Sequence, residues 1–132
     1  MISSVACKGE IDQRIFTREQ EIFHFFIGCN NIPRGILSTI YVRFREPQTK
    51  ARIAHVYQWF FTGSPMVRLH DTLPNIHYSV RTNYADIGFQ LAPDGRRAVI
   101  VSCLDNLLKG ASSQAVQNLN VMLGWDEAEG LE

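Results

Sequence analysis

The sequence has no apolar run long enough to cross a bilayer. Its longest such stretch, Ile22 to Ile27, is short and interrupted by His24, whereas a spanning helix takes about 20 residues. The opening MISSVACKGE has no apolar core behind a basic start, so no secretory signal is expected there, and the expected compartment is the cytoplasm. An excess of either charge is missing too: Lys plus Arg and Asp plus Glu each number 13. That balance removes the electrostatic case for a nucleic-acid partner or a solvated charged tail. The three cysteines, Cys7, Cys29 and Cys103, are odd in number and match no zinc or redox spacing. His24, His55, His70 and His77 have no metal-ligand spacing, so no metal site is expected. There is no Gly-x-Gly-x-x-Gly loop to cradle a dinucleotide, and no internal repeat or low-complexity stretch.

What is present suits one globular domain. The chain has 132 residues, 45% of them hydrophobic, enough to bury a core. Thr17 and Gln20 fit a capping box, while Phe23 to Ile27 reads equally as helix or strand. Gly35 to Phe44 alternates β-branched and aromatic residues and predicts a strand. Thr49 predicts the cap of a helix reaching about Phe61, with Ile53, Val56, Tyr57, Phe60 and Phe61 at helical spacing. Gly63-Ser64-Pro65 stops it. Met66–Leu69, His77–Thr82 and Asp86–Leu91 read as short strands, Pro93-Asp94-Gly95 as a turn, and Arg97–Leu104 as a mostly apolar strand. A last helix is predicted from about Asn106 to Leu123, with Leu108, Ala111, Ala115, Leu119 and Met122 as one apolar stripe and Gly124 as its C-terminal cap. This order predicts an α+β fold, a mixed β-sheet with helices on one face.

The segment Asp105 to Gly124, DNLLKGASSQAVQNLNVMLG, resembles the C-terminal signature of the N-acetyl-gamma-glutamyl-phosphate reductases. Asp105, Asn106, Leu107, Lys109, Gly110, Ala111, Gln114, Ala115, Gln117, Asn118, Asn120 and Gly124 stand where that family has them. Arg34-Gly-Ile-Leu-Ser-Thr-Ile-Tyr-Val42 is similar to a second family strand, and Thr82-Asn83 and Glu10-Ile-Asp-Gln13 are shorter matches. The resemblance implies a fold like the C-terminal domain of the semialdehyde dehydrogenases, without most of the NADP-binding Rossmann domain. It implies an NADP-dependent reduction of an acyl phosphate to a semialdehyde in arginine biosynthesis, on a homo-oligomer; a related aminoadipate reductase is the other substrate class it allows. It also divides the chain into a poorly matching segment 1–33, a substrate-binding and dimerisation domain 34–104, and a C-terminal helical segment 105–132 that would pack on the Rossmann domain.

The departures are chemical. The family's Gly-Cys-Tyr nucleophile motif is absent, and its His-Arg-His falls on Val5, Ala6 and Cys7. No catalytic residue is therefore expected here, and the chain alone is expected to be inactive, as a truncated or rearranged gene product would be. A non-catalytic α+β binding or oligomerisation module is the alternative. Asn106, Lys109 and Gly110 sit at a strand-to-helix junction, where free backbone N–H groups and a lysine could face a cofactor phosphate; plain helix capping with a solvated lysine is the bland account. Arg34 could grip a substrate carboxylate or phosphate with its forked guanidinium, or be a surface residue before a strand. The Gln and Asn residues of the last helix are expected to pack against the Rossmann domain.

Overall fold

The computed structural model describes residues 34–131, together with the backbone of two short strands, β1 (Gln13–Arg14) and β2 (His24–Gly28). The stretch that read equally as helix or strand is thus strand β2, and the Thr17–Gln20 capping box lies outside the described residues. The remaining elements are β3 (Ile36–Arg43), α1 (Lys50–Phe60), β4 (Val67–His70), α2 (Ile76–Ser79), β5 (Ala85–Leu91), β6 (Arg97–Leu104) and α3 (Ser113–Leu123). The six strands form one sheet in the order β1-β2-β3-β6-β5-β4. β4 and β5 are parallel and every other pair is antiparallel, so the sheet is mixed, as the sequence predicts.

Local chemistry sets the element ends. The Thr49 side chain accepts from the Arg52 N–H at 3.2 Å and opens α1. Gly63, at φ 80, turns the chain after it. The β5–β6 hairpin closes through Pro93-Asp94-Gly95, where Asp94 accepts from the Arg96 N–H at 2.9 Å.

The two crossovers explain where the helices lie. β3 and β4 run parallel, and α1 carries the chain from β3 past β6 and β5 to the sheet edge. α2 then carries it back from β4 to its parallel neighbour β5. Crossovers that step in opposite directions keep a right-handed turn only by using opposite faces. Accordingly Tyr57 of α1 stacks on Phe89 at 6.0 Å between ring centres. Ile76 of α2 packs on the other face with Val101 and Cys103, joined by Leu37, Val80 and Val99. The helices expected on one face therefore cover two.

The stretch His77–Thr82, predicted as a strand, is instead the short helix α2 and its exit. Asn75 caps it by accepting from the His77 N–H at 3.0 Å. Both edges of β5 are already paired, with β4 and with β6, so no edge is left beside it for another strand. The last helix also differs from the predicted single run. Leu108–Ser112 forms a π-helical turn ahead of α3, with the Gly110 N–H donating to the Asp105 carbonyl at 2.7 Å and the Ser112 N–H to that of Leu107 at 3.0 Å. Gly124, at φ 70, ends α3 in the left-handed conformation predicted for it.

The predicted apolar stripe of this helix does not face the fold. Leu119 and Met122 are exposed, Met122 at 81%, while Ser113, Gln117 and Asn120 are buried. The chain after α3 folds back along the polar side. Asn120 Nδ2 donates to the carbonyls of Glu127 and Glu129 at 3.3 and 2.9 Å, and Gln117 bonds the Glu127 carboxylate. Asn83 Nδ2 holds the Leu131 carbonyl at 2.7 Å, and the Leu131 side chain is buried.

Candidate functional site

The C-terminal end of β6 delivers Asp105 into the interior, where it is fully buried. Its Oδ1 accepts from the N–H groups of Leu107 and Leu108, at 2.8 and 3.0 Å. Its Oδ2 accepts from Arg34 Nε at 2.7 Å and from the Arg81 N–H at 2.6 Å. Burial alone would raise this carboxyl's pKa, but the donors from Arg81, Leu107, Leu108 and Arg34 outweigh it and hold the group below its usual range. Next to it, Asn106 Oδ1 accepts from the Gly35 N–H at 2.9 Å. Two residues at the end of β6 thus fasten the start of β3, 71 positions earlier in the chain.

This geometry relocates the sequence-predicted site residues. Arg34, Asn106 and Gly110 do gather at the Asp105 junction, and Arg34 lies a third exposed with one edge of its fork on Asp105. The backbone N–H groups expected to face a phosphate are already used: Leu107 and Leu108 serve the Asp105 carboxylate, and Gly110 the Asp105 carbonyl. The junction's backbone therefore does not fit a phosphate cradle. A Cβ on Gly110 would come within 3.2 Å of that carbonyl oxygen and of Leu104 Cδ1, so a close turn is reason enough for glycine here. Lys109 points along α3 and bonds Gln117, which in turn bonds Glu127. Burial lowers the pKa of the Lys109 ammonium, and the charge of Glu127 pushes the other way. The Gln and Asn side chains expected to meet a Rossmann domain divide differently: Gln117 and Asn120 hold the chain's own tail, and Gln114 bonds Asn118 on the exposed side at 2.9 Å.

Sequence reasoning missed the role of Asp105, although an aspartate ahead of a helix is a capping signal. It also missed a second buried carboxylate. Asp86 of β5 takes Arg68 in a two-pronged ion pair, both bonds 2.7 Å. It also takes Ser79 Oγ at 2.5 Å and meets His70 Nε2 at 2.6 Å. Arg68 lies 4.5 Å over the Tyr84 ring. Arg68 and His70 lie on β4, Ser79 on α2 and Asp86 on β5, so only the register of the parallel pair brings them together. Cys103 is buried beside them; burial first, and the Asp86 charge second, push its thiol up to about 11.

The far end of the sheet is open. An apolar depression of about 560 Å³ is lined by Tyr41, Arg43, Gln90, Pro93, Arg97 and Val99 among others. Among the described residues no helix is long and apolar enough to cross a membrane, and no three His, Cys, Asp or Glu side chains come together as a metal group would require.

Residues 8–106 match the dimerisation domain of semialdehyde dehydrogenase. The matched span takes in most of segment 1–33. The chain is 44% identical over 119 residues to the N-acetyl-gamma-glutamyl-phosphate reductase of Streptococcus sanguinis, an alignment covering 90% of this chain and 35% of that protein. The reductase of the same name from Streptococcus mutans is 39% identical over 123 residues, 92% of this chain and 36% of the relative. That of Methanocorpusculum labreanum is 48% identical over 99 residues, 74% of this chain and 29% of the relative. The chain spans about a third of the length of the curated relatives it matches.

Proposed function

From the premise that this chain belongs to the semialdehyde dehydrogenase family, matched along its dimerisation domain, we propose that it is the substrate-side, self-associating portion of an N-acetyl-glutamyl-phosphate reductase. The whole enzyme would use NADP to reduce the acyl phosphate to N-acetyl-glutamate semialdehyde in the cytoplasm. The observation that carries this reading is the pairing of high identity with partial length: 44% over 90% of this chain, against 35% of the relative.

In this reading residues 34–104 bind substrate and a second copy, and residues 105–132 meet a nucleotide-binding domain. The exposed apolar side of α3 supports that contact: Val116, Leu119, Leu123 and Met122 face outward while the polar side is closed by the chain's own tail. Arg34 is the substrate-oxyanion residue. Asn106, Lys109 and Gly110 lie along the cofactor's edge as a packed boundary, with no phosphate cradle. NADP when bound would supply the hydride, and no nucleophile for the acyl group is assigned to this chain.

The test is a split complementation. The chain is co-expressed with a Streptococcus sanguinis reductase lacking the third of its length that the chain matches, and the reverse reaction is followed as semialdehyde-dependent NADPH formation in the presence of phosphate. Turnover from the pair and none from either piece supports the proposal. Turnover by this chain alone, or none from a pair shown to associate, overturns it.

A further inference from the structure

At the open end of the sheet, Arg43 ends β3 and Arg97 begins β6, and the two stand directly opposite each other in the ladder. Tyr41 and Val99 form the pair two positions inward, and Gln90 faces Val99 from β5. Residues two apart on a strand share a face, so Arg43, Arg97, Tyr41, Val99 and Gln90 lie together on one side of the sheet. Val99 also packs on the cluster under α2. The arginines therefore lie on the α2 side, past the point where that short helix covers it.

Directly opposed residues have Cβ atoms roughly 5 Å apart, and like charges in that position destabilise a sheet. Arg97 is partly relieved, because its Nε donates to Asp94 Oδ2 at 2.9 Å in an exposed ion pair. Arg43 is exposed and has no hydrogen bond or ion pair among the described residues. The pair thus weakens the ladder that holds it. Both arginines line the apolar depression of about 560 Å³, a volume within the roughly 300–1,000 Å³ of small-molecule sites. Leu91, Pro93 and Val99 supply its apolar surface, Tyr41 adds a ring, and no acidic side chain lines it among the described residues.

We propose that this depression binds a small aromatic carboxylate, its carboxylate at Arg43 and Arg97 and its ring on the apolar surface of Leu91, Pro93 and Val99. The forked guanidinium matches the two oxygens of a carboxylate, and flat guanidinium and tyrosine faces favour a planar body over a flexible chain. One anion facing both arginines relieves their repulsion, so binding needs the pair. The site is separate from the Asp105 junction: Arg97 and Leu104 stand at opposite ends of β6, roughly 23 Å apart by strand rise. It goes beyond the reductase reading and does not rest on it.

The experiment is a titration of the full 132-residue chain with 2-naphthoate at low ionic strength, followed through backbone amide resonances. Saturable shifts are expected at Tyr41, Gln90 and Val99. The neutral 2-naphthylmethanol is expected to bind about tenfold more weakly, and 2-naphthoate to bind Arg43→Gln about tenfold more weakly, as loss of one charge-assisted contact implies. Arg43→Gln strands no partner and removes a like-charge contact, so it is expected to melt no lower than the parent. Arg52→Gln, on α1, is expected to bind as the parent does. The proposal is overturned if the parent shows no saturable shift at these amides, if the neutral alcohol or Arg43→Gln binds within about twofold of the parent pairing, or if Arg52→Gln weakens binding equally. A second copy is the other occupant this face could take. Sedimentation in which Arg43→Gln loses self-association, with amide shifts that follow protein concentration and not 2-naphthoate, also overturns the proposal.

Discussion

Arg68 and Asp86 stand in register on the parallel strands β4 and β5 and share two hydrogen bonds, each 2.7 Å. Residues in register on adjacent strands point to the same face. Asp86 therefore lies buried beneath the short helix, where Ser79 and His70 complete its shell. Asp86 is buried while Arg68 is partly exposed, so the pair gives little net stability as a pair, but losing the arginine's charge or the carboxylate's leaves a buried group short of its partner.

Asp86→Asn is accordingly expected to cost about 2–4 kcal/mol, since Arg68, Ser79 and His70 lose their charged acceptor together. Urea unfolding followed by far-UV circular dichroism measures it. An unchanged midpoint would mean the cluster contributes nothing to the folded state.

The two buried aspartates also set the acid limb of stability. Burial pushes each pKa up, and the donors around it more than reverse that, so both end below the usual carboxylate range. A carboxyl depressed on folding contributes stability above its unfolded pKa of about 4, lost as pH falls through the folded value. The urea midpoint is expected to be flat above about pH 5 and to fall below about pH 4. Asp105→Asn is expected to be less stable at neutral pH and to show a shallower fall; an identical acid limb would remove Asp105 from the account.

Cys103 has the opposite sign. Its thiol is pushed up to about 11 by burial and by Asp86, so folding favours the protonated form. That contribution is present below the unfolded pKa of about 8.5 and is lost as pH rises through the folded value. In a Cys7→Ser/Cys29→Ser background, thiol reagents at pH 8 are expected to label Cys103 only at the rate of unfolding. Rapid labelling of the folded chain would contradict its burial.

Gly88 faces the loop after β4. A Cβ there would lie 2.2 Å from the Thr72 carbonyl oxygen and 2.9 Å from Pro74 Cδ. The first is backbone and cannot swing aside. Gly88→Ala is expected to cost about 3 kcal/mol, at the upper end for overpacking, read as a lowered thermal midpoint. An unchanged midpoint would mean that the loop gives way freely.

Leu119 and Met122 are exposed, at 48% and 81%, so polar replacements are expected to change the chain's own stability by less than about 0.5 kcal/mol. Leu119→Ser/Met122→Ser is expected instead to weaken association with the front piece in the split complementation. A drop in stability with unchanged association would place these side chains inside this chain's own fold.

Some of this was legible in residue order alone. The alternating pattern placed β3, and the mostly apolar run placed β6, to within a residue or two, and Thr49, Gly63 and Gly124 punctuate the chain through a local hydrogen bond and left-handed turns. The reading failed at His77–Thr82, whose alternation suits a strand but has no free edge of β5 to pair with. It failed again on α3, where the apolar stripe is real but its direction depends on what covers the polar side.

The candidate site divides along the same line. The sequence by itself determined the family signature, most of the succession of strands and helices and the placement of Asn106 and Gly110 at the end of a strand, because these depend on neighbours within a few positions. The tertiary structure decided that Asp105 fills its own helix entrance, that Arg34 and Arg81 meet on its Oδ2 from 71 and 24 positions away, and that Lys109 turns to Gln117. Those contacts rest on strand order and on which face each crossover takes, neither of which local periodicity encodes.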